Sequence, residues 1–94
     1  MVSRLTQLRK VARLAIETQM SHKELQNFEN RELVSGRMDI DAVKEDRLYK
    51  KIEKSQLTLL DYCKQIKLTE SEYFSIDILH MQNDGISFDE FINS

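Results

Sequence analysis

Proline is absent from this 94-residue chain, and glycine occurs only at Gly36 and Gly85. With so few breakers, the chain is expected to run in long helices joined by few turns. A single cysteine, Cys63, excludes an internal disulfide, so a reducing, cytoplasmic setting is the default expectation. No apolar run approaches the ~18–20 residues that a bilayer-spanning helix requires. No uninterrupted apolar block follows the first basic residues, as it would in a secretory signal. The first segment is Arg-bearing, acid-free and amphipathic, like an organellar transit peptide, but it flows into the next helical segment without a cleavage-like break and is read as part of the fold. Two further absences concern charge of one sign. Residues 1–16 hold Arg4, Arg9, Lys10 and Arg13 and no acid, whereas residues 68–94 hold Glu70, Glu72, Asp77, Asp84, Asp89 and Glu90 and no Lys or Arg. The middle of the chain is balanced, so the net charge of −2 conceals a basic head and an acidic tail. Such polarity favours oppositely charged partners at the two ends, or the chain's own other end.

What is present is a set of legible helix starts. Ser21-His22-Lys23-Glu24 has the capping-box pattern, with Met20 and Leu25 as a flanking apolar pair. Thr69-Glu70-Ser71-Glu72 repeats it with Leu68 and Tyr73, and Ser87-Phe88-Asp89-Glu90 repeats it with Ile86 and Phe91. In each, the hydroxyl accepts the amide three residues on, the Glu reaches back, and the apolar pair sets the angle at which the chain joins the helix. Asp39 is a partial fourth start, since Ala42 stands where the reciprocal acid would be. Apolar spacing predicts a helix over 3–19 (Leu5, Leu8, Val11, Ala12, Ala15, Ile16) and another over 22–34 with Leu25 and Phe28 inward, the two being either separate or continuous. Gly36 would turn the chain. A long helix follows over 40–67, with Leu48, Ile52, Leu59, Cys63 and Ile66 on one stripe and Asp46 and Lys50 paired on its outer side. Shorter helices follow over 70–82 and 88–93.

These elements predict one all-α domain over 1–94: a hairpin of two long helices turning near Gly36, with one or two shorter helices packed across it. At ~1.5 Å per residue the 40–67 helix would be roughly 40 Å long. That exposes more apolar stripe than one partner helix covers, so Leu48, Ile52, Leu59 and Ile66 are expected to support self-association as a homodimer with coiled-coil-like packing. A monomeric bundle with a bent long helix is the alternative.

Motifs for chemistry are scarce. Leu59–Ile76 resembles a helix-turn-helix: Tyr62, Ile66, Leu68, Tyr73 and Ile76 supply packing, small Cys63 sits where alanine is usual, and Lys67 occupies the turn position that is normally glycine. Its second helix carries Glu70, Glu72 and Asp77, which repel a phosphate-lined groove, so two ordinary helices with a capped turn are the better reading. Residues 83–91 look like the second half of an EF-hand loop, but no register supplies carboxylates at its first positions. His22 and His80 have no second ligand near in sequence, and Cys63 lies on an apolar stripe with the nearby bases, Lys64 and Lys67, read as lying on other faces. No phosphate loop or nucleophile constellation is present. No cofactor, metal site or catalytic residue is therefore assigned, and an enzyme is not expected.

The charged ends remain. Arg4, Arg9, Lys10 and Arg13 form a basic patch that could meet phosphate, an anionic membrane surface or an acidic protein; four charges without interleaved aromatics are few for the first two. In the tail, Tyr73, Phe74, Phe88, Asp89 and Glu90 combine aromatic anchors with steering acids and form the candidate partner-binding surface. For Tyr73, and for Phe91 beside them, the capping pattern argues instead for core. The expected function is thus a small interaction module of regulator, adaptor or chaperone type, with a protein partner, itself included. The alternative is a dimeric DNA-binding regulator using the basic helix or the degenerate helix-turn-helix.

Overall fold

The computed structural model describes residues 3–34, 42–82 and 86–93, without the side chains of 33, 34 and 80–82. The turn expected at Gly36, the Asp39 cap and the glycine turn at Gly85 lie outside those residues. The first helix, α1, runs unbroken over Arg4–Val34, 31 residues, or about 46 Å at the usual rise. The predicted break at Ser21 does not occur. Val11, Ala15, Thr18, Ser21, Leu25 and Phe28 are all buried, and their spacing of three or four residues is one continuous helical seam. Capping at Ser21 would forfeit intrahelical hydrogen bonds and rotate the second half of that seam out of register. Instead the Ser21 hydroxyl donates to the Glu17 carbonyl at 3.0 Å, as Thr18 does to Leu14 at 2.9 Å. Both hydroxyls are thereby satisfied inside the helix.

The second long helix, α2 (Ala42–Gln65), packs along α1 as expected of a hairpin. Its buried residues, Leu48, Ile52, Leu59, Leu60 and Cys63, face the α1 seam. The Asp46–Lys50 pair on its outer side closes at 3.1 Å. α2 ends in a Schellman turn: Leu68 N–H reaches the Cys63 carbonyl at 2.9 Å and Lys67 N–H the Lys64 carbonyl at 3.2 Å. Lys67 sits at φ 55°, the left-handed position where glycine is the low-energy choice.

Three short helices follow: α3 (Glu70–Ser75), α4 (Asp77–Gln82) and α5 (Phe88–Ile92). The Thr69 capping box forms in full, and the Ser87 hydroxyl accepts the Glu90 amide at 3.2 Å. The expected single helix over 70–82 is two helices, divided at Ile76 (φ −94°, ψ 87°). Burial explains the division. Tyr73 and Leu79 are both fully buried, but six residues of continuous helix would place them about 120° apart around the axis. Breaking at Ile76 turns both into the same core.

The molecule measures 51 × 26 × 20 Å. Its core has two parts. At one end Val11, Ala15, Leu59, Leu60, Cys63, Leu68, Tyr73, Leu79 and Phe91 form a layered bundle, α4 packing on α1 and α5 on α2. Along the far arm of the hairpin only Leu25, Phe28, Leu48 and Ile52 cluster. The buried hydroxyls of Thr18 and Ser21 stand between the two on α1.

Candidate interaction surface

Arg4 opens α1 and joins three elements. Its guanidinium grips both carboxylate oxygens of Glu72, at 2.6 Å through Nε and 2.5 Å through Nη2. It also donates to the Ile66 carbonyl at 2.6 Å and the Lys67 carbonyl at 3.2 Å, beyond the end of α2. The Ile66 carbonyl, at the C-cap of α2, is one of the orphan acceptors that a helix end leaves, and a cation is favoured there. Glu72 simultaneously accepts the Thr69 backbone amide at 2.9 Å as the reciprocal arm of the α3 box. The Arg4 guanidinium, together with the Thr69 donors, holds the Glu72 carboxyl down at about 2, against an ordinary 4.5. The first basic residue of the head is therefore fixed to the first turn of the acidic tail within one chain.

The rest of the head divides. Lys10 lies over the Tyr62 ring at 4.4 Å, a cation–π contact with α2. Arg9 and Arg13 are exposed and form no ion pair among the described residues. Around them the outer face of α1 holds unexpected apolar groups: Leu5 is 59% exposed, Ile16 44% and Met20 63%. In the sequence Leu5 and Ile16 are only members of the apolar set at helical spacing; the structure turns both outward, because the apolar residues of 5–16 span more than one face. Leu5, Arg9, Ala12, Arg13, Ile16 and Met20 share one side of the helix, away from the seam. The signal was available: the arginines fall in register with Leu5, Ala12 and Ile16, whereas Leu8, Val11 and Ala15 form the other row.

The residues expected at interfaces are placed as follows. Leu48, Ile52 and Leu59 are buried against the chain's own α1 side or end bundle, and Ile66 is half-buried beside the latter. They are not the uncovered stripe that the sequence suggested, because α1, as one long helix, lies along α2. Tyr73 is fully buried and touches Phe74, Phe88 and Phe91 with ring centroids 5.2, 5.7 and 5.1 Å away. Its hydroxyl donates to the Ile86 carbonyl at 2.8 Å. It is a core anchor, as its capping-pattern position implied. Phe74 is 44% exposed, Phe88 is half-buried, and Asp89 and Glu90 are exposed.

The helix-turn-helix resemblance reduces to α2, the Lys67 turn and α3, a six-residue helix whose Glu72 is held by Arg4. Cys63 is fully buried, and burial pushes its thiol up to about 12. His22 contacts Gln56 at 3.2 Å on the surface. Among the described residues no group of side chains is arranged to hold a metal ion, and no helix is long and apolar enough to cross a membrane. An open groove of about 910 Å³, which the sequence reading missed, runs between the distal parts of α1 and α2. Lys51 and Glu24 bridge its walls at 2.7 Å, and Lys44 lies over Phe28 at 5.1 Å. Comparison with protein families, curated proteins and solved structures finds no match to this chain.

Proposed function

We propose that the protein is a small, non-enzymatic protein–protein interaction module of regulator, adaptor or chaperone type, acting in the cytoplasm through the outer face of α1. The observation that carries this reading is the stripe of Leu5, Ile16 and Met20, well exposed, interleaved with exposed Arg9 and Arg13. Apolar anchors rimmed by charge are the composition of a docking face, the apolar groups supplying affinity and the charges orientation. The stripe's charge is wholly basic, so the partner it fits is an acidic helical surface with apolar anchors of its own. A nucleic-acid partner is less well supported. Arg4 is engaged by Glu72 and Lys10 by Tyr62, which leaves Arg9 and Arg13 as the head's remaining phosphate contacts.

Fluorescence anisotropy with two labelled probes separates the readings: a Glu/Leu amphipathic helical peptide and a mixed-sequence DNA duplex. The peptide is expected to bind, to stay bound at moderate salt, and to be lost with Ile16→Glu plus Met20→Glu. Binding of the duplex without the peptide, with a steep loss on adding salt, would overturn the proposal in favour of the DNA-binding reading.

A further inference from the structure

We infer that the acidic surface received by the α1 stripe is the α3–α5 end of a second copy of this chain. This rests on the reading of the stripe as a docking face. Three observations carry it.

The two surfaces are complementary in charge. Arg9 and Arg13 are the exposed bases of the stripe, and the end formed by α3, α4 and α5 exposes Glu70, Asp77, Asp89 and Glu90 in a stretch without Lys or Arg. The acidic end also offers an apolar anchor, since Phe74 is 44% exposed among those carboxylates. The head and tail of this sequence already recognise one another: Arg4 and Glu72 make a bidentate pair within the chain.

Placement favours reciprocity. α4 packs on α1, so the basic stripe and the acidic end are neighbours at the same end of the molecule. Two copies related by a two-fold axis can then make the contact twice, each stripe covered by the other's acidic end, which closes the assembly as a dimer. The simpler pairing of stripe on stripe is disfavoured. It would gather Arg9 and Arg13 of both copies, and Glu17 is the single acid in residues 1–20 to offset them. This relocates self-association from the α2 residues, which α1 and the end bundle cover, to the outer face of α1, where Leu5, Ile16 and Met20 stand exposed.

The test is sedimentation velocity on the full chain, in wild type, Arg9→Glu with Arg13→Glu, Glu70→Lys with Asp77→Lys, and Ile16→Glu, each checked for helicity. A wild-type dimer is expected, with dissociation raised ~10-fold or more in every variant, as loss of close charge pairs implies. An equimolar mixture of the two charge-reversed variants should restore the dimer. Should the lysine variant fail to fold, Ile16→Glu, at an exposed site, still decides the matter. A dimer untouched by Ile16→Glu and by the arginine reversal overturns the inference by placing the interface elsewhere. A monomeric wild type that binds the Glu/Leu peptide overturns self-pairing and leaves the docking face intact. A monomer that binds neither overturns both.

Discussion

Replacing Tyr73 tests how the acidic tail is attached to the hairpin. The side chain is fully buried and contacts three aromatic rings, and its hydroxyl reaches the Ile86 carbonyl at 2.8 Å across the segment leading to α5. Burial and the charge of Glu90 raise the phenol's pKa, so it remains a donor throughout the ordinary pH range. Tyr73→Phe keeps the ring and removes that one hydrogen bond, a loss of about 1 kcal/mol, since the Ile86 carbonyl is left without its partner. For a domain of this size that is about 4–8 °C in Tm. Tyr73→Ala removes the whole anchor, about 3–5 kcal/mol, a large fraction of the roughly 5–15 kcal/mol that holds a small domain together. Urea titration followed by far-UV circular dichroism reads both. With a slope of ~1–3 kcal/mol/M, Tyr73→Phe should lower the midpoint by about 0.3–1 M. Tyr73→Ala should abolish a single cooperative transition, because α3–α5 lose the group that joins them while α1 and α2 retain their contacts. Equal midpoints for wild type and Tyr73→Phe would refute the hydroxyl's role. A cooperative, wild-type-like transition in Tyr73→Ala would refute the claim that Tyr73 is the anchor.

Four further outcomes are expected. Because Glu72 titrates at about 2 when folded against an ordinary 4.5, its stabilisation is complete above about pH 5 and fades as pH falls toward 2; chemical denaturation between pH 6 and 2.5 should show a flatter acid limb for Glu72→Gln than for wild type. Lys67→Gly, at φ 55°, should be neutral to stabilising by up to about 1 kcal/mol, and Lys67→Val destabilising, as read by thermal melts. Ser21→Ala should change stability by no more than ~0.5 kcal/mol, because Ser21 lies inside α1; a loss of about 1 kcal/mol would be the mark of a working cap and would argue for a broken helix. The Cys63 thiol, buried and pushed up to about 12, should react with a thiol reagent at the rate of unfolding, so adding denaturant and not raising pH to 9 should release it.

Local signals were legible where local chemistry decides the structure. The Thr69 box forms because its hydroxyl, its Glu and its apolar pair lie within six residues and can satisfy one another locally, Arg4 only adding to a bond already in place. The turn position at Lys67, marked in the sequence as the place of a missing glycine, has the left-handed backbone that glycine would have supplied. The errors arose where burial over a longer distance overrode a local signal. Ser21 has as good a capping pattern as Thr69, yet the seam from Val11 to Phe28 continues through it, and α2 rewards an unbroken helix. Ile76 has no breaker on either side, yet the helix divides there, because Tyr73 and Leu79 must reach the same core. Neither outcome is written in a window of a few residues.

The charge polarity read from the sequence acts at two levels in the structure. Arg4 is the level the sequence could suggest but not place: its partner is Glu72, 68 residues away, and it also holds carbonyls beyond the end of α2. A side chain that caps one helix while restraining the box of another fixes the angle between them, so part of the basic head has a structural role and cannot serve a partner. Arg9 and Arg13 are the other level. They project from the side of α1 opposite its seam, form no ion pair among the described residues, and share that side with Ile16 and Met20. A wholly solvated helix face has no physical need of large apolar side chains, and desolvating them is favourable only against another surface. Their register with the arginines, and not the net count of basic residues, is what supports the proposed docking face.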